Sequence, residues 1–112
     1  MTNDATVTDR EAQLRARLAE LDALAAENAQ ARSTVELDQQ SVGRISRMDA
    51  LQRQAMAQET ARRRALERRR IEAALARIAQ DEYGWCVTCG EAIDARRLDL
   101  DQAIPTCRGC AR

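Results

Sequence analysis

Cys86-Val87-Thr88-Cys89-Gly90, followed downstream by Cys107-Arg108-Gly109-Cys110, is the stretch from which the chain is read. The spacing is C-x2-C-x17-C-x2-C. Two residues between cysteines let one tight turn offer both sulfurs to a single ion, and the insert brings the second pair round to complete a tetrahedron. Gly90 and Gly109 suit knuckle turns, which need positive φ or backbone N–H groups aimed at sulfur. With Cys86, Cys89, Cys107 and Cys110 all acting as ligands, no position remains for a catalytic water, so one structural zinc ion is expected. Two alternatives stand beside it. A redox dithiol is weakened by the absence of a surrounding βαβ pattern. A four-thiolate iron centre is open because spacing alone does not name the metal.

Around the cysteines, residues 83–112 read as a small module whose apolar inventory is Tyr83, Trp85, Val87, Ile93, Leu98, Leu100 and Ile104. Chains below about 40 residues usually need metal or disulfides. Structural zinc supplies on the order of 10–16 kcal/mol in small peptides. Asp94 to Leu98 resembles a short helical turn, Pro105 opens the second knuckle, and Arg108, with Arg96 and Arg97, is placed to offset the charge of four thiolates. Trp85 is expected to pack the preceding helix onto the module.

Upstream the sequence is helical. Residues 1–7 are expected to be a flexible N-terminus. Thr8-Asp9-Arg10-Glu11 reads as a capping box, and beyond it Ala, Leu, Glu, Arg and Gln dominate with no Gly or Pro up to Gly43. Leu14, Leu18, Leu21, Ala25, Asn28, Arg32 and Val35 recur at alternating four- and three-residue steps, the spacing of a coiled-coil seam. A turn is expected near 35–41, with Asp38 or Ser41 capping a second helix. That helix carries Val42, Ile45, Met48, Leu51 and Ala55, then Leu66, Ile71, Leu75 and Ile78, and is expected to end at Tyr83-Gly84. Folded back about the turn, Leu21 would meet Met56 and Val35 would meet Val42. The expected fold class is therefore mainly α: an antiparallel coiled-coil hairpin over 8–82 with its tip near 35–41, then a four-cysteine zinc-finger module over 83–112.

Composition removes several functions. There is no His, so no imidazole base, no Ser-His-Asp triad and no HExxH metalloprotease site. An enzyme is not expected. Tyr83 and Trp85 are the only aromatics, which leaves no platform for stacking bases. No apolar run is long enough to span a membrane, and the first residues lack the charged and apolar regions of a signal peptide. A reducing, cytoplasmic setting is the expectation, and there four cysteines favour metal over disulfides.

Net charge is zero, from 18 Arg and 18 acidic residues, but it is unevenly spread. Residues 1–40 are net −4, residues 41–80 net +6 and residues 81–112 net −2. An acidic helix followed by a basic one suits two elements that lie together. Arg62-Arg63-Arg64 and Arg68-Arg69-Arg70 dominate the second. They read either as a solvated face with local ion pairs to Glu59, Glu67 and Glu72, or as a basic contact ridge for an acidic partner or phosphates.

The run Tyr83-Gly84-Trp85-Cys86-Val87-Thr88-Cys89-Gly90-Glu91-Ala92-Ile93, then Arg96-Arg97-Leu98, Pro105 and Cys107-x-x-Cys110, resembles the DksA/TraR four-cysteine zinc-finger family. The whole string is far more restrictive than the cysteines alone, and the helical hairpin ahead of it extends the resemblance over nearly the whole chain. The resemblance implies a bacterial transcription regulator that binds RNA polymerase rather than promoter DNA, with the coiled-coil tip entering the secondary channel. Family DksA carries a D-x-x-D-x-A tip; here the matching stretch is Val35-Glu36-Leu37-Asp38-Gln39-Gln40, in which only Asp38 falls on an acidic position, Val35 replaces the first Asp, Gln40 replaces the Ala, and Glu36 with Asp38 would supply similar charge. No alarmone-binding residues carry over. The implied chain acts as a monomer and does not bind DNA directly. The competing readings are a nucleic-acid-binding zinc protein using the Arg-rich helix and a coiled-coil adaptor.

Overall fold

A computed structural model describes residues 4–38 and 44–111, with side chains over 6–27, 29 and 47–111. Three helices follow in order: α1 (Asp4–Asp38), α2 (Arg44–Ala79) and the short α3 (Ala95–Leu100). No strand forms among the described residues, only an isolated antiparallel bridge between Trp85 and Ala92. None of the described helices is long and apolar enough to cross a membrane.

The first helix overruns its expected bounds at both ends. Residues 4–7, expected to be frayed, are helical, so Thr8 lies a turn inside α1 rather than capping it. Residues 35–38, expected in the turn, complete α1. The reason is local: Val-Glu-Leu-Asp contains nothing that stops a helix, and the first glycine is Gly43. Residues 39–43 lie outside the described residues, as do the side chains of Glu36 and Asp38.

The chain packs as two compact units. Unit 1 joins Met1–Leu18 to Glu67–Arg112, and unit 2 is Ala19–Leu66. In unit 1 the start of α1 runs antiparallel to the end of α2. Arg17 Nε lies 2.7 Å from Glu67 Oε2, and Leu14 and Ile71 line the same cleft. Residue 17 thus sits opposite 67, about seven positions further along α2 than a pairing of Leu21 with Met56 requires. Met56 is instead 70% exposed, and Met48 and Leu51 are exposed with it. The core of unit 1 is Leu14, Ile71, Ala74, Tyr83, Ile93 and Leu98, and Leu98 is the largest fully buried side chain. In unit 2 Leu21 of α1 is the buried apolar residue among those described.

α2 also stops earlier than expected. Glu82 N donates to Arg77 O at 2.8 Å and Asp81 N to Ile78 O at 3.2 Å, the paired bonds of a Schellman motif. The left-handed position is therefore Asp81, with φ 57, and not Gly84. Gly84 has positive φ too, but in the loop that follows.

Candidate metal centre

The first knuckle is built by backbone bonds inside unit 1. Cys86 N donates to Glu91 O at 2.8 Å, and Gly90 N returns to Cys86 O at 2.9 Å. Gly90 turns the corner with φ 77, a value that side chains other than glycine reach only at a cost of about 1–2 kcal/mol. Thr88 N and Cys89 N both point at Cys86 Sγ, at 3.4 and 3.5 Å. The second knuckle repeats the plan more simply: Cys110 N and Ala111 N donate to Cys107 O at 3.1 and 3.0 Å. Gly109 has no positive φ, so the expectation that its turn needs glycine for that reason does not hold. The two knuckles are tied by Val87 N donating to Pro105 O at 2.9 Å.

The segment between the knuckles acts as the spacer. The helical turn expected from Asp94 to Leu98 forms as α3, with Asp94 as its cap, Oδ1 accepting from Arg96 N at 3.1 Å. Leu98 anchors α3 in the core, and Arg97 Nη2 reaches Thr106 O at 3.3 Å, next to Cys107. These contacts bring Cys86, Cys89, Cys107 and Cys110 together, with all four sulfurs within 4.8 Å of one another and Cys89 Sγ 3.5 Å from Cys107 Sγ. A zinc ion with Zn–S near 2.3 Å needs sulfurs about 3.8 Å apart. The donor set, four thiols from two knuckles, fits a tetrahedral metal ion.

Three of the thiols are displaced from their ordinary value by their neighbours. The Cys86 thiol is lowered to about 6 by the backbone N–H groups of Cys107, Cys89 and Thr88. The Cys110 thiol is pushed up to about 12, first by Cys89 and then by the sulfurs of Cys107 and Cys86. Once one thiolate exists, its neighbours resist a second negative charge; a divalent ion reverses that repulsion and lets all four deprotonate.

Three cross-links that the sequence reading missed hold the region between the knuckles to the helices. Arg10 Nη2 lies 2.7 Å from Asp99 Oδ1, and Arg70 Nη2 lies 2.6 Å from Asp101 Oδ2. Tyr83 Oη donates to Gln102 O at 2.8 Å. Arg10 is 4% exposed, and its Nε and Nη1 have no hydrogen-bond partner. A signal for Arg10 was present: it sits one helical turn before Leu14, on the same seam as Leu21. Trp85 does not pack the helix onto the module as expected. It is substantially exposed, and Tyr83 takes that place.

The Arg triplets are dispersed. Arg62 and Arg63 pair with Glu59, and Arg68 pairs with Glu72, each within α2. Arg70 is taken by Asp101. Arg64 and Arg68 are half-buried while Arg62, Arg63, Arg69 and Arg70 are exposed, so the six do not share one face.

No protein-family model and no curated protein matches the sequence. Among solved structures, the transcription factor DksA2 from Pseudomonas aeruginosa superposes with a TM-score of 0.82 at 23% identity, over 94% of this chain and 79% of that one. The chain therefore shares the fold of DksA2; its own two long helices are followed by a four-cysteine cluster.

Proposed function

We propose that this chain is a DksA/TraR-type regulator of bacterial transcription that acts on RNA polymerase and is not an enzyme. The observation that carries the reading is the coincidence of a DksA-like fold with four sulfurs gathered at one point. In this reading Cys86, Cys89, Cys107 and Cys110 hold one structural zinc ion. The metal fixes the two knuckles and leaves no open coordination position for hydrolytic chemistry. The turn end of the α1–α2 pair, near Glu36 and Asp38, enters the polymerase secondary channel and presents negative charge there. The protein works in the cytoplasm.

The nucleic-acid reading draws less support. Most of the triplet arginines are committed to nearby carboxylates, and the surplus of charge falls in no single stripe. The test is direct: zinc content of the purified chain, then retention by core RNA polymerase, then the same assay with Asp38→Asn. One zinc per chain and micromolar retention are expected, with the substitution removing the effect on transcription and leaving retention in place. A chain without stoichiometric metal, or one that ignores polymerase at micromolar concentration, ends the proposal.

A further inference from the structure

Arg10 and Asp99 stand 89 positions apart in sequence, yet Arg10 Nη2 rests 2.7 Å from Asp99 Oδ1. Of the three cross-links to the spacer described above, this one alone comes from α1. A guanidinium taken out of water needs a carboxylate and further acceptors to offset its desolvation. Arg10 has the carboxylate, but its side chain is 5% exposed and Nε and Nη1 lack a partner. The docking of the start of α1 therefore depends on Asp99 being held within reach. What holds Asp99 is the region between the knuckles. It lies in α3, which the buried Leu98 anchors. Two residues earlier, Arg97 Nη2 reaches Thr106 O, next to Cys107. Beyond α3, Ile104 N donates to Asp101 O at 3.2 Å, and Pro105 O accepts from Val87 N of the first knuckle. These contacts lead from α3 to both cysteine pairs, and all of them belong to unit 1.

A metal ion that draws the two knuckles together also fixes the spacer, and with it Asp99. We propose that Arg10 is a positioning residue of the metal centre: through Asp99, docking of the start of α1 and binding of the ion at Cys86, Cys89, Cys107 and Cys110 strengthen one another. The inference rests on the metal reading given above. Such coupling is reciprocal. Breaking Arg10–Asp99 weakens the hold on the metal. Losing the metal loosens Asp99, strands Arg10 as a buried charge without a carboxylate, and releases the start of α1. The released segment carries Leu14, which is 2% exposed while docked.

Competition for Zn2+ between the reduced full chain and a chromophoric chelator tests this. Asp99→Ala should bind the ion about tenfold more weakly than the unaltered chain, inside the range of about 5–150-fold for ordinary coupling between sites. Arg10→Met added to Asp99→Ala should cause no further loss, because the link is already broken. Asp99→Glu, which keeps the carboxylate, should recover most of the affinity. Leu21→Ala, at a buried position of unit 2, should destabilise the fold and leave the affinity unchanged, which separates positioning from a general loss of stability. In hydrogen exchange, withdrawal of Zn2+ should expose the backbone amides of residues 8–16 together with those of the cysteine region. Asp99→Asn replaces Asp99→Ala if circular dichroism shows lost helicity. A chain that takes up no Zn2+ ends the metal reading and this inference together. A chain that binds Zn2+ overturns this inference alone if its affinity ignores Asp99, if Leu21→Ala loses as much, or if residues 8–16 are equally protected with and without the ion.

Discussion

The Tyr83 hydroxyl, at the end of the loop after α2, donates to the carbonyl of Gln102 at 2.8 Å, tying the helix exit to the segment that leads into the second knuckle. Burial raises the phenol above its ordinary value of 10. Tyr83 is the only tyrosine, so its ionisation can be followed alone by the absorbance of the phenolate. The midpoint is expected above 10 in the folded protein. The contribution to stability is fully present below pH 10 and is lost as pH rises through the folded value. Tyr83→Phe should cost about 1 kcal/mol, the net worth of one hydrogen bond. A midpoint at or below 10 contradicts the placement.

Breaking the Arg10–Asp99 pair should be asymmetric. Asp99→Ala leaves a buried guanidinium with no partner and is expected to cost about 1–3 kcal/mol, discounted because Asp99 itself is exposed. Arg10→Met removes the charge along with the partner's role and should cost less. Urea unfolding of the metal-loaded variants measures both, and equal losses would contradict the burial of Arg10.

The Arg17–Glu67 pair predicts an acid-side effect. The hydrogen bond from Arg17 holds the Glu67 carboxyl below its ordinary 4.5. Its contribution is therefore complete above pH 4.5 and disappears as pH falls through the lower, folded value. Both side chains are more than a third exposed, so a double-mutant cycle with Arg17→Gln and Glu67→Gln should give about 0.2–1 kcal/mol at neutral pH. A coupling that persists unchanged once the carboxyl is protonated would refute the pairing.

Asp81 occupies the left-handed position that ends α2. Asp81→Gly is expected to stabilise by about 0.5–1 kcal/mol, and Asp81→Val to destabilise, because a β-branched residue tolerates that conformation worst. Thermal unfolding of the two variants gives opposite shifts if the Schellman geometry is right.

What the sequence made legible follows from how much each residue constrains. The four cysteines could be grouped from spacing alone, since few arrangements bring two C-x-x-C turns together. Helix type was equally plain from composition. The register between the helices was not, because a seam repeating every seven residues looks nearly the same after a shift of seven, and alanine offers no landmark to break the tie. The exit of α2 was misplaced because Gly84 was available for a role that Asp81 performs. The choice of Tyr83 over Trp85 as the buried aromatic turned on one carbonyl, that of Gln102, which no local pattern announces. The tip acids Glu36 and Asp38 rest on the resemblance alone.

One unit of the molecule is assembled from the first 18 residues together with residues 67–112, with the other unit inserted between them. During synthesis Arg10 leaves the ribosome long before Asp99, so the opening segment cannot reach its final packing until the cysteine region has emerged. Closing so long a loop slows folding relative to purely local contacts. The early segment must wait with Leu14 uncovered, a window in which chaperones or misassociation compete for it.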